Sequence, residues 1–224
     1  FNLPDTLTNI DSEAFKDLTS LTSLVLPNSV TNFGKDVFRN AAALTEITIG
    51  SGVQSISEGL FRGASSLTTI SIPDWITSIG DDSFRDTGLI SLTLSDSVTT
   101  VGNRSFYGAP IQTLILGSSL QSWSTATTTF NPFYDVCDTL KSASISMTNI
   151  PDHAFDGCAA LETLSLQNTS VIGSYAFRGT ALLNSISFPN SLTSIGTGAF
   201  FNSTTLSSIV IPDSVSNLGD SAFM

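Results

Sequence analysis

The sequence has little with which to do chemistry. Its 224 residues hold one histidine, two cysteines and eight lysines and arginines. Hydrolysis by a Ser-His-Asp arrangement needs a histidine beside a placed nucleophile. His153, the sole candidate, sits in "PDHAF", which belongs to a recurring pattern. A glycine-rich phosphate loop, HExxH and paired CxxC are all missing. The expectation is a protein that is not an enzyme, with no cofactor and no metal. Positive charge is scarce too: 8 basic residues stand against 19 acidic ones, a net charge of −11. Nucleic acid and anionic membrane surfaces are thus unlikely partners on charge grounds alone, since their phosphates would be repelled. The chain has no apolar run of bilayer-spanning length. It also lacks an initiator methionine and a leader. It begins inside "FNLPDTLTNIDSEAF" and stops at "DSAFM", which reads as a segment of a longer protein.

What is present is one phrase, written about ten times. "IPDSVSNLGDSAF" near the end echoes "FPNSLTSIGTGAF" and "LPNSVTNFGKDVF" upstream. Aligned on its phenylalanine, the phrase recurs at Phe15, Phe38, Phe61, Phe84, Phe106, Phe133, Phe155, Phe177, Phe200 and Phe223. A fixed period of 22–23 residues signals a solenoid. No linker interrupts it, so residues 1–224 read as a single array, with one longer, irregular coil near 107–133 ("SLQSWSTATTTFNPFYDVC").

Each unit has two apolar pieces. The first is L-x-x-L-x-L, as in Leu67, Ile70 and Ile72, whose last residues alternate like a short strand buried on one face. The second is V-T-x-I-G, as in Ile76 and Ile79. A tight helical turn into the phenylalanine is expected next. Two residues beyond it stand Asp17, Asn40, Gly63 or Asp86, types that tolerate a left-handed conformation. A Pro-Asx corner, such as Pro73-Asp74, separates the two pieces. One unit buries too little to order itself, so each coil must be covered by the next.

The pattern L-x-x-I-x-I-P-x-S-V-T-x-I-G-x-x-A-F, from Leu3 to Phe223, resembles the BspA-like leucine-rich repeats. That resemblance implies an α/β, strand-dominated, right-handed solenoid, with a parallel sheet on its concave face and short strands and helical turns behind. It also implies a surface or secreted protein of bacteria or protists that binds protein or extracellular matrix. The slot that carries an asparagine ladder in ordinary leucine-rich repeats varies here (Pro27, Gly50, Pro73, Ser95).

The outward strand slots should line the sheet face. They include Glu46, Thr48, Thr69, Ser71, Ser91, Thr93 and Thr113. A row of small hydroxyls suits an extended protein partner or a glycan, and equally suits plain solvation. Ice binding fits poorly without strict Thr-x-Thr rows. Trp75 occupies a slot that is serine or glycine elsewhere, which marks it either as an exposed anchor or as a cover for the Pro73 corner. In the long coil, Phe130 is the freer aromatic, whereas Trp123 and Phe133 hold inward registers. Lys16, Arg39, Arg62 and Arg85 form a basic column. It either grips an acidic partner or balances Asp17, Asp36, Asp82 and Asp86. Cys137 and Cys158 fall at similar points of neighbouring coils, as a disulfide or as two buried thiols. Asn103, Asn168 and Asn202 begin glycosylation sequons. Asp74 with Asp96, or Asp81 with Asp82, could face a calcium ion or simply cap turns. Self-association into a filament or surface layer is the alternative to partner binding.

Overall fold

The computed structural model describes residues 2–121, 123 and 131–224. Its coils stack at the period of the sequence. Each coil carries up to two short strands: β1 (Asn9–Ile10), β2 (Ser23–Val25), β3 (Asn32–Phe33), β4 (Glu46–Thr48), β5 (Ser55–Ile56), β6 (Ser78–Ile79), β7 (Ser91–Leu94), β8 (Thr100–Val101), β9 (Thr113–Leu116), β10 (Ser142–Ile145), β11 (Asn149–Ile150), β12 (Thr163–Leu166), β13 (Val171–Ile172), β14 (Ser194–Ile195) and β15 (Asn217–Leu218). The L-x-L piece builds the first ladder, β2-β4 and β7-β9-β10-β12, and the V-T-x-I piece the second, β1-β3, β5-β6-β8 and β11-β13-β14-β15. All pairs are parallel, in register by one repeat: Ser91 faces Thr113, which faces Ser142. Leucines and isoleucines at alternate positions point into the core. In β7, Leu92 and Leu94 are buried while Ser91 and Thr93 are exposed.

The phenylalanines form one column. Phe38, Phe61, Phe84 and Phe106 are fully buried, and successive rings stack with centroids 5.8, 5.4 and 5.4 Å apart. Stacking runs without a break from Phe15–Phe38 at 5.4 Å to Phe200–Phe223 at 5.3 Å. It stretches only at Phe133–Phe155, to 6.3 Å.

Except at Phe133, the turn carrying each phenylalanine is not the expected bit of helix. Residues two before and two after the phenylalanine both have positive φ: Asp36 (55°) and Asn40 (59°) around Phe38, Asp82 (51°) and Asp86 (56°) around Phe84. That alternation turns three amides toward the next coil. Asp36, Phe38 and Asn40 donate N–H to the carbonyls of Glu58, Leu60 and Arg62 at 3.0, 2.9 and 2.7 Å. A helix would spend those donors within its own coil. The repeat instead uses them to join coils, giving a third hydrogen-bonded column beside the two ladders. Among the described residues the only helical segment is a 3₁₀ turn, Tyr134–Asp138.

The glycine of Ile-Gly has a related cause. A Cβ on Gly80 would lie 2.8 Å from the Glu58 nitrogen and 2.9 Å from the Ile56 carbonyl oxygen. The preceding coil passes too close for any side chain there.

The long coil disturbs one side only. β9 pairs directly with β10, so the first ladder runs through, whereas the second breaks between β8 and β11. Trp123 fills the core there, edge-on to Phe133 at 5.2 Å and to Phe155 at 6.2 Å. Buried Asn131 accepts the Phe133 N–H at 2.9 Å and donates to the Ala154 carbonyl at 3.3 Å. A disulfide joins Cys137 in the 3₁₀ turn to Cys158 on the next coil. Phe130 lies outside the described residues.

Two stability outcomes follow. Phe84→Ala removes a ring packed on both faces, and urea unfolding should show a loss of about 3–5 kcal/mol. Replacing both Cys137 and Cys158 by serine opens a loop of 21-residue separation. Unfolding should then require about 3 kcal/mol less, and limited proteolysis should cut first on either side of Phe133.

Candidate functional site

The first ladder presents Glu46, Thr48, Ser91, Thr93 and Thr113 outward, all exposed, on strands whose inward neighbours are locked in the core. Thr69 and Ser71 are exposed too, although their coil joins neither β4 nor β7 as a strand. The face dips across this stretch. One open depression of about 640 Å³ is lined by Glu46, Thr48, Thr69, Ser71, Asp74, Thr93 and Ser95, among others. It continues on one side to Trp75, Ile49 and Pro73, and on the other to Asp96, Ile115, Ser144 and Gln167. The result is a shallow trough crossing several coils, floored by hydroxyls and rimmed by the Pro-Asx corners.

Trp75 is 43% exposed and lines this trough rather than being folded away. Val25, Ile115 and Val210 are further apolar side chains on the same face, 63%, 42% and 78% exposed.

The corners differ in what their side chains do. Asn28 Oδ1 accepts the Ser51 N–H at 2.9 Å. Asp96 accepts both the N–H and the hydroxyl of Ser118, at 2.6 and 2.9 Å, and these two bonds hold its carboxyl below its ordinary pKa. The Asp74 carboxylate has no hydrogen bond or ion pair among the described residues, and neither has the Glu46 carboxylate. Asp81 accepts the Asn103 N–H at 2.8 Å, and Asp82 binds Arg104 at 2.8 Å. Turn capping and ion pairing thus occupy Asp81, Asp82 and Asp96. Among the described residues no group of three or more potential ligands gathers to hold a metal ion.

The basic column lies on the phenylalanine turns, away from the trough, and is largely turned inward on its own acids. Lys16 pairs with Glu13 at 2.8 Å, Arg39 with Asp36 at 3.8 Å, and Arg85 with Asp82 and Asp86 at 3.4 and 3.3 Å. Arg62 sits between Gly59 and Gly63, where the turns of Lys16, Arg39 and Arg85 carry acids or asparagine, and has no ion pair among the described residues. His153 stacks on Tyr175 at 5.2 Å and bonds Asp156 at 2.9 Å, with no serine or cysteine nucleophile in that pairing. Of the sequons, Asn103 is tied to Asp81, Asn168 is exposed beside buried Thr169, and Asn202 stands exposed at φ 60°.

Three features escaped the sequence reading. The positive φ two residues before every phenylalanine but Phe133 hid because Glu13, Arg104, His153, Tyr175 and Ser221 adopt it alongside Asp and Gly. Pairing between coils, such as Arg178 with Asp156 at 2.6 Å, needs the stacking register. The freedom of Asp74 could be seen only once its neighbours' bonds were known.

No helix among the described residues is long and apolar enough to cross a membrane. Among curated proteins none matches this chain. Among solved structures, a T. pallidum leucine-rich repeat protein is 25% identical, with a TM-score of 0.51, over 79% of this chain and 72% of that one. A leucine-rich repeat protein from Bacteroides ovatus is 19% identical, with a TM-score of 0.45, over 97% of this chain and 80% of that one. A leucine-rich cell surface protein from Faecalibacterium prausnitzii is 23% identical, with a TM-score of 0.45, over 97% and 78%. The family model described as "BspA type Leucine rich repeat region (6 copies)" matches residues 1–112 and 118–224. With the period, the two ladders and the phenylalanine column behind it, that match makes the chain a member of the BspA-type leucine-rich repeat family.

Proposed function

We propose that this chain is a binding module of a cell-surface or secreted protein and that it takes a protein or matrix partner on its first ladder, the concave side of a right-handed arc. The observation that carries the reading is the trough. It offers several coils of exposed, small, hydroxyl-bearing side chains where the paired strands β2-β4 and β7-β9-β10-β12 meet, with Trp75 at its edge. Small side chains let a partner's backbone approach closely. The core packing beneath these coils keeps the ordering cost of binding low, and an exposed tryptophan is a frequent hot spot. Family membership supports the surface location and the adhesive role.

Binding to a panel of immobilised matrix proteins, followed by surface plasmon resonance, tests the assignment. Thr69→Arg in the trough, with Ser91→Arg on the adjoining coil of the same face, should weaken whatever interaction is found by at least about tenfold. Ser55→Arg, on the second ladder, should leave it unchanged. Binding that survives the trough pair and falls with Ser55→Arg would move the site to the other face.

A further inference from the structure

We infer that the segment seated in the trough is basic: an extended stretch of polypeptide that presents arginine or lysine to Glu46, Asp74 and Trp75. This rests on the sheet-face reading above and adds the partner's chemistry.

Charge is the first ground. Asp74 lines all three adjoining depressions of the face. With Glu46 and Asp96 it gives the trough three carboxylates, and no lysine or arginine stands among the described residues that line it. Asp74 and Asp96 hold equivalent corners of adjacent coils, about 5 Å apart along the stack, while Glu46 stands at the strand start of the coil before them. Across the whole chain 19 acids face 8 bases, so the long-range field has the same sign as the local one.

Availability is the second. Six of the chain's eight cations are paired elsewhere, among them Lys35 with Glu58 at 2.6 Å, Arg104 with Asp82 and Arg178 with Asp156, and the other two, Arg62 and Lys141, do not line the trough. Turn capping accounts for Asn28 and Asp96 and leaves Asp74 without a task inside the fold. Glu46 is likewise unengaged among the described residues.

Trp75 is the third. Its ring is exposed beside Asp74, at a slot that is serine or glycine in most other coils. A guanidinium or ammonium lying over that ring gains a cation–π contact while its N–H groups reach a carboxylate. The chain already makes the same contact internally, with Arg85 over Tyr107 at 4.9 Å. A phosphorylated or sulfated ligand would meet three carboxylates and no counter-charge. A neutral glycan could stack on Trp75 but would leave the carboxylates uncompensated.

The probe is a fluorescein-labelled peptide of alternating arginine and threonine, read by fluorescence anisotropy at low and at physiological ionic strength. It should bind, and more weakly as salt rises. Glu46→Gln with Asp74→Asn should weaken it about tenfold, and Trp75→Ala about threefold. Asp213→Asn with Asp220→Asn, acids outside the trough, should not change it. Circular dichroism checks that each variant is folded. The inference is overturned by a peptide that fails to bind, by a trough pair that binds like the unaltered chain, or by equal loss in the two acid pairs. A neutral oligosaccharide that binds through Trp75 while the peptide does not also overturns it, and makes the trough a glycan site. If Thr69→Arg with Ser91→Arg abolishes matrix-protein binding but the peptide series fails, the sheet-face reading stands and the basic partner alone is discarded.

Discussion

Each coil of this chain covers its neighbour in two ways at once. Its phenylalanine ring stacks on the next ring at about 5.5 Å, and, except in the irregular coil at Phe133, the amides around that ring donate to the next coil's carbonyls. The second contact depends on residues held at positive φ on both sides of the phenylalanine. A coil taken alone would leave those amides and its apolar residues in water. Stability is therefore approximately a sum over adjacent coils, and any change to a phenylalanine acts on two interfaces.

This division of labour frees the outer surface. Inward slots, the Ile-Gly step and the turn are constrained by the stack, whereas outward slots on the first ladder are not. The chain fills most of them with serine and threonine, with Val25 and Val210 as apolar exceptions near the two ends; nearer its middle the departures are Glu46, Ile115 and, just past a corner, Trp75. Those departures, with Asp74 beside them at its corner, gather on one stretch of face. The basic residues are handled differently. Set on the turns, they are mostly neutralised by acids of the same or the adjoining coil, as Arg85 and Arg178 are, so the column is chiefly part of the scaffold.

Much of the architecture was legible because a repeat states the same constraint many times. The ten phenylalanines and the strand alternation could be read directly, and so could the left-handed residue after most of them, Asp135 in its 3₁₀ turn being the exception. The turn was misjudged as helical. Its short length and apolar ends resemble a helix, and the deciding fact, where its amides donate, lies in a neighbouring coil. For the same reason the outward slots were legible as a row, but the trough among them was not. A dip in a face depends on how three coils sit together, and the single letters at Thr69 or Asp74 do not carry it. Trp75 was visible as an oddity, yet its orientation depended on packing around Pro73.

Native-state hydrogen exchange tests the stacking account most directly. The amides of Phe38, Phe61 and Phe84 donate to Leu60, Ser83 and Ser105 on the next coil, at 2.9, 2.8 and 2.8 Å. They should exchange only through opening of the stack, together with the core strands and among the slowest in the chain. Exchange as fast as that of exposed turn amides, with the strands still protected, would mean that the phenylalanine turns do not join the coils and would contradict the account.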